Sequence, residues 1–205
     1  KNQYKKAKSN YIKAAALFKE IEEYTELGSA IGNIGHCNKH LGDFEKAIEK
    51  FNLALKLFRS RKDTLNVTKV LGNIAVVYGM QGDFKSAVKI AQESLDLYKK
   101  MNDEQGIANT FLNLGIMYEK TGDYDKSIKN YNKALKYYEK TGNKNAISIS
   151  LLNLGIIYIN WENYSEAIDY LNESYEISKQ YSNNRVLIAA VNNLGLVYQK
   201  TKKYD

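Results

Sequence analysis

The chain has 205 residues, of which 44% are hydrophobic and 26% charged, so it is long enough to bury a hydrophobic core. It contains no proline, which disfavours a loop-rich or β-rich fold and favours helices joined by short turns. The net charge is +7, but lysines alternate with acidic residues through the middle of the chain. We therefore predict solvated helix surfaces and no nucleic-acid partner.

A repeat of 40 residues runs through the whole chain. Gly42-Asp43-Phe44 recurs as Gly82-Asp83-Phe84 and Gly122-Asp123-Tyr124, and then decays to Glu162-Asn163-Tyr164 and Lys202-Lys203-Tyr204. Since internal repetition at a fixed period indicates stacked structural units, the sequence predicts one continuous array without a separate domain or linker.

The predicted elements follow this period. Each repeat has the pattern of two helices, called here its first and its second helix. Residues 1–23 have the pattern of a second helix alone, and residues 184–205 have the pattern of a first helix alone. Four full helix pairs lie between them, in residues 24–63, 64–103, 104–143 and 144–183. The array starts and stops inside a repeat, so we expect a piece of a longer protein. The ends lack polar caps, which leaves end-to-end packing and the oligomeric state open.

The third repeat shows the pattern of one pair most clearly. In the predicted helix from Glu104 to Lys120, apolar residues recur at the spacing of one helix face. Gly122 suits the left-handed conformation that ends a helix, and Asp123 can cap the next helix. A turn this short predicts an antiparallel helix pair.

These residues resemble the tetratricopeptide repeat. The third repeat matches its pattern at Phe111, Leu114, Gly115, Tyr118, Ser127, Tyr131 and Ala134. The usual repeat has about 34 residues and ends with proline, whereas this one has 40 and resembles the longer variant of kinesin light chains, Leu-Gly-Asn-repeat scaffolds and bacterial signalling proteins. The resemblance implies an all-α, right-handed α-solenoid of antiparallel helix pairs that binds protein or extended peptide in a concave groove lined by first helices.

An asparagine recurs at one position of every first helix. Each asparagine costs about 0.5–0.7 kcal/mol relative to alanine inside a helix, so we expect a role that compensates for this cost. An amide can pair with the backbone of an extended peptide regardless of its sequence, and we expect these residues to line the groove. The alternative is a structural bond to a neighbouring helix or to the carbonyl four residues earlier. The five asparagines are Asn33, Asn73, Asn113, Asn153 and Asn193.

Two further positions are predicted to line the groove. The position four residues after each asparagine is predicted to form an apolar floor, which consists of Cys37, Val77, Met117, Ile157 and Val197. The position seven residues after each asparagine is predicted to form a mildly basic edge, which consists of His40, Met80, Lys120, Asn160 and Lys200. A peptide with apolar side chains and some acidic character would suit this surface.

No constellation in the sequence indicates catalysis, a metal or a cofactor. His36 and His40 share a helix face, but no third ligand of suitable spacing follows. Cys37 lies inside a helix and is expected to pack. As the only cysteine, it excludes an internal disulfide and favours a reducing, cytoplasmic compartment. No apolar run approaches the roughly 20 residues that span a bilayer, and no signal-peptide pattern is seen, so we expect no membrane partner.

The sequence thus predicts a peptide- or protein-binding scaffold and not an enzyme. The alternative is a sensory or regulatory segment of a larger signalling protein, such as a histidine kinase or a peptide-responsive transcription regulator. The turn at Trp161-Glu162 departs from the repeat. It predicts either a distorted turn, since a left-handed non-glycine residue costs roughly 1–2 kcal/mol, or an exposed contact at Trp161.

Overall fold

The computed structural model describes residues 1–201, and it contains ten α-helices and no strand within that range. None of the described helices is long and apolar enough to cross a membrane. Lys202, Lys203 and Tyr204, the predicted remnant of the repeated turn, lie outside the described residues. The helices are α1 (Asn2–Glu20), α2 (Tyr24–Leu41), α3 (Phe44–Ser60), α4 (Thr64–Met80), α5 (Phe84–Lys100), α6 (Glu104–Lys120), α7 (Tyr124–Thr141), α8 (Lys144–Asn160), α9 (Tyr164–Gln180) and α10 (Asn184–Thr201).

The helices form two compact units, Lys1–Met101 and Asn102–Asp205. In the first unit, α1 packs against α2, α2 against α3, α3 against α4 and α4 against α5. In the second unit, α6 to α10 do the same, and α8 also contacts α10. Because two or three residues join consecutive helices within each unit, those neighbours run antiparallel, as the short turns predict.

The turns within the helix pairs share one backbone geometry. Gly42, Gly82 and Gly122 have φ between 77° and 88°, in the left-handed region that suits glycine. Asp123 then caps α7, since its Oδ1 accepts a hydrogen bond from the backbone N–H of Lys126 at 3.2 Å. Both roles are confirmed. In the fourth pair, Glu162 takes the same conformation at φ 58° without being glycine.

In three helix pairs, the glycine two residues after the repeated asparagine lies against a bulky side chain of the second helix. A Cβ placed on Gly115 would lie 2.6 Å from the ring of Tyr131, which is fully buried on α7. Gly35 meets Phe51 and Gly155 meets Leu171 in the same way. The facing helix contributes small residues, and the Ser127 hydroxyl donates a hydrogen bond to the Gly115 carbonyl at 2.7 Å. Close packing at these positions contributes to the core of each unit.

Replacing Gly115 with alanine should lower the free energy of unfolding by about 1–3 kcal/mol, because the buried Tyr131 ring has no room to move. Urea denaturation followed by circular dichroism measures the change. Gly72 is the matched control, since nothing lies within 4 Å of an added Cβ there. Gly72→Ala should raise stability by up to about 1 kcal/mol through helix propensity. Equal effects at both sites would contradict the close approach.

Glu162→Gly should stabilise the chain by up to about 1 kcal/mol, since glycine adopts a positive φ without a steric penalty. The reverse change at the equivalent turn, Gly122→Glu, should destabilise it. Melting temperatures of the two variants provide the comparison. A lower melting temperature for Glu162→Gly would show that the glutamate side chain itself stabilises this turn.

Candidate functional site

The repeated asparagines occupy equivalent places on the first helices. Asn33 and Asn73 belong to α2 and α4 in the first unit, and the other three to α6, α8 and α10 in the second. Each side chain is half-buried, between fully buried positions and the exposed surface of its helix. An amide in this setting is accessible to a ligand and also within reach of neighbouring helices.

The hydrogen bonds divide the asparagines into two groups. The Asn73 amide nitrogen donates to Nε2 of His36 at 3.1 Å, and the Asn193 amide nitrogen donates to the Ala189 carbonyl at 2.8 Å. Asn73 and Asn193 therefore make the intramolecular hydrogen bonds that are expected if the asparagines are structural. Asn33, Asn113 and Asn153 make no side-chain hydrogen bond to any described residue. Their donor and acceptor groups are therefore available to a ligand.

In the first unit, the asparagines open onto a shallow pocket of about 190 Å³. Gly28 and Gly32 on α2 leave its wall without side chains, so the polar groups of both first helices can be reached. Its polar lining comprises Ser29, Asn33, His36, Asn66, Lys69 and Asn73. Hydrogen-bond donors thus converge on one concavity with a single cationic side chain, Lys69.

The surroundings of His36 favour its neutral form. Burial lowers the pKa of its imidazole, and the nearby Lys39 and His40 lower it further. The neutral ring can accept the proton of the Asn73 amide on Nε2, and its edge packs against Phe51 with centroids 5.2 Å apart. Nothing in the repeat pattern identifies this bond, because the equivalent positions in the other repeats are apolar.

The predicted apolar floor is buried. Met117 is 4% exposed and Ile157 is fully buried, and Cys37, Val77 and Val197 are also buried. The expectation that these residues face a ligand is wrong. A residue four positions after the asparagine is rotated by about 40° around the helix, which turns it towards neighbouring helices. Ile157, for example, packs in a cluster with Tyr131 and Leu154.

The solvent-accessible surface beside the asparagines is formed by the residues three positions after each asparagine and not by those four positions after it. Ile116 is 37% exposed and Leu196 is 39% exposed, whereas the other members are half-buried. Helical periodicity could have identified them, because steps of three and then four residues stay on one face. These residues are His36, Val76, Ile116, Ile156 and Leu196.

The predicted edge is exposed at every repeat, in His40, Met80, Lys120, Asn160 and Lys200. Met80 is 54% exposed. His40 stacks on the ring of Tyr4 from α1 with centroids 4.4 Å apart, so α1 contributes to the same surface in the first unit.

The remaining candidates from the sequence are a metal site, Cys37 and Trp161. Within residues 1–201, no group of three or more His, Cys, Asp or Glu side chains could hold a metal ion. Burial raises the pKa of the Cys37 thiol, which is 4% exposed, as expected for a packing residue. Trp161 is 50% exposed and lies beside Tyr158 with ring centroids 6.3 Å apart.

Comparison with solved structures shows a shared fold. BtubC (BKLC) from P. vanneervenii matches with a TM-score of 0.76 and 14% identity, over 98% of this chain and 93% of that one. A signal transduction ATPase with a tetratricopeptide repeat sensor, PH0952 from Pyrococcus horikoshii, matches with a TM-score of 0.80 and 21% identity, over 92% of this chain and 30% of that one. A Podosopora anserina protein described as a kinesin light chain with nearly identical TPR-like repeats has a TM-score of 0.72 and 15% identity, over 88% and 89% of the two chains.

These likenesses confirm the predicted all-α fold of helix pairs. Among curated proteins, none matches the sequence significantly. The family model of the tetratricopeptide repeat matches residues 26–100 and 106–180, which is more than half of the chain. With its helix pairs, its glycine–aromatic contacts and this match, the chain belongs to the tetratricopeptide repeat family.

Proposed function

We propose that this chain is a binding scaffold that holds an extended polypeptide through the asparagines of its first helices. The observation that carries the proposal is the state of Asn33, Asn113 and Asn153. Their half-buried amides have no hydrogen-bond partner among the described residues, although each lowers the helix propensity of its segment. An amide that donates and accepts at once can bond to the N–H and C=O of a peptide backbone.

The residues around the amides favour a peptide with apolar side chains and some negative charge. In the second unit, Ile116 and Ile156 lie three positions after the asparagines, and Lys120 and Asn160 lie at the exposed edge. In the first unit, Lys69 lines the asparagine pocket. Backbone pairing would give affinity with little dependence on sequence, and the apolar and basic positions would give selectivity.

The binding surface of this proposal differs from the one that the sequence alone predicts. Met117 and Ile157 are excluded, because burial prevents a ligand from touching them. Asn73 and Asn193 contribute less than the other asparagines, since a ligand would have to replace an existing hydrogen bond. Met80, Lys120, Asn160 and Lys200 keep their proposed role at the edge.

A sensory role within a larger signalling protein is the second candidate. The observation that favours it is the likeness to the Pyrococcus horikoshii ATPase, in which the matched part is 30% of a chain described as having a tetratricopeptide repeat sensor. Ligand binding would be the same in both cases, and the difference lies in what is attached to the repeats. The sequence that flanks these residues in the full gene product distinguishes the two roles.

Asn113→Ala combined with Asn153→Ala should weaken peptide binding by roughly 5- to 150-fold, because two lost hydrogen bonds of about 0.5–1.5 kcal/mol each sum to about 1–3 kcal/mol. A random-peptide display library is selected on the wild-type chain, and an enriched peptide is titrated by calorimetry. Asn132→Ala with Asn172→Ala is the matched control, since both asparagines are exposed on second helices.

Three outcomes of this experiment are informative. Binding that survives the double substitution contradicts the proposal, and so does a selection that enriches the same peptides on wild type and variant alike. A variant that loses helical signal would assign the two asparagines a structural role. The control variant must bind as the wild type does.

Protonation of His36 should destabilise the first unit at acidic pH. Burial lowers the folded-state pKa of His36 below its usual value of 6.5, so the unfolded chain binds more protons between the two values. Its contribution to stability is therefore fully present above about pH 6.5 and is lost as the pH falls below it. Relative to His36→Gln, the wild type should lose stability between pH 7.5 and 5.0 in urea denaturation. Parallel pH profiles of the two proteins would show that His36 does not titrate in this way.

A further inference from the structure

The outward faces of α7 and α9 each carry a row of charges of one sign, flanked on α7 by the exposed Asp125 and Glu139 and on α9 by the exposed Lys179. Five lysines follow one another along α7 at steps of three and four residues, and four acidic residues do the same along α9. All nine side chains are exposed. The lysine row consists of Lys126, Lys129, Lys133, Lys136 and Lys140, and the acidic row of Glu166, Asp169, Glu173 and Glu176.

Both rows lie opposite the core. With 3.6 residues per turn, each row fits within an arc of about 80°. The opposite side of α7 holds the buried residues Ser127, Tyr131, Ala134 and Tyr138. The rows occupy equivalent positions of successive repeats, 40 residues apart, and both α7 and α9 pack against α8. The second unit therefore carries a positive and a negative row on its second helices.

The first unit shows that this segregation is not a property of the repeat. At the same positions, α3 has Lys46, Glu49, Leu53 and Lys56, and α5 has Ser86, Lys89, Glu93 and Asp96. Signs are mixed in both helices. There, Glu93 forms an ion pair with Arg59 at 2.7 Å, which links α5 to α3.

The rows are not neutralised within the second unit. Lys126 pairs with Asp123 at 2.6 Å and Lys140 pairs with Glu104, both within the α6–α7 hairpin. Lys133 lies over the ring of Phe111 at 5.2 Å. Among the described residues, the other two lysines and all four acidic residues form no ion pair. Like charges three and four positions apart destabilise a helix, so the fold of the unit does not account for these rows.

We infer that the two rows form a docking surface for a second copy of this chain. The complementary partner surface is present in the same molecule, since the acidic row matches the first four lysines. Their steps of three, four and three residues read the same in both directions, so the rows can align parallel or antiparallel. A two-fold axis between α7 and α9 sets each lysine row against the acidic row of the partner, as an isologous interface requires.

The interface is electrostatic and therefore depends on salt. A single exposed ion pair contributes little, but the two-fold axis doubles the number of pairs and joins them in a network. Screening at high ionic strength weakens such pairs. This surface lies on second helices, apart from the asparagines of the first helices, so the inference does not rest on the proposed peptide binding.

Sedimentation equilibrium of the 205-residue chain over a range of protein concentrations tests the inference. At 25 mM NaCl, the wild type should approach the mass of a dimer at high concentration, and at 500 mM NaCl it should be monomeric. The basic row is reversed with Lys129→Glu, Lys133→Glu and Lys136→Glu. The acidic row is reversed with Asp169→Lys, Glu173→Lys and Glu176→Lys.

Each triple variant should be monomeric alone, because one chain then has two mainly acidic rows and the other two basic rows. An equimolar mixture of the two should form a heterodimer at 25 mM NaCl. The matched control for the lysine reversal is Lys46→Glu with Lys56→Glu and Lys89→Glu, which makes the same change in net charge on α3 and α5. It should associate as the wild type does. Circular dichroism confirms that each variant retains its helices.

Four results would overturn the inference: a wild type that stays monomeric at low salt, a dimer that survives either reversal, a mixture that does not associate, or a control that behaves like the reversed chains. A labelled 20-nucleotide strand is titrated in parallel by fluorescence anisotropy. Should the lysine reversal abolish its binding while the mixture stays monomeric, the lysine row would be assigned to nucleic acid instead of a second copy.

Discussion

The contact between a glycine on a first helix and an aromatic or leucine side chain on the second determines much of this structure. At Gly115 the missing Cβ lets the ring of Tyr131 lie against the α6 backbone, and the Ser127 hydroxyl bonds to the carbonyl of the same glycine. Since helix pairs bury little surface alone, such close approach lets each pair also pack against its neighbours.

Once the paired faces are fixed, the other faces of each helix become surfaces with different chemistry. First helices display half-buried amides, of which Asn33, Asn113 and Asn153 have no partner among the described residues. Second helices display charge on the side opposite to the core, mixed on α3 and α5 but separated by sign on α7 and α9. The fold thus separates two candidate binding surfaces, so that substitutions in one can leave the other unchanged.

The turns show how far a local rule can be broken. Glu162 takes the left-handed conformation of Gly42, Gly82 and Gly122, although its side chain makes this conformation unfavourable. The packing of α8 against α9 imposes the turn, because two antiparallel helices of this length leave three residues few other routes. Trp161 is consequently held at the surface, 50% exposed, beside Tyr158.

The sequence by itself determined the family, the helices and their pairing, because the 40-residue period, the apolar spacing of each helix and the Gly-Asp turns are local signals. It also identified the asparagines, whose helix cost is visible without a structure. The tertiary structure decided between two positions that helical periodicity allows, three and four residues after each asparagine. A step of one residue rotates a side chain by about 100°, and this moves Met117 and Ile157 into the core while Ile116 stays exposed. The hydrogen bond between Asn73 and His36 likewise depends on how neighbouring helices pack. The same holds for the charged rows of α7 and α9, which become surfaces because no neighbouring helix among residues 1–201 covers those faces.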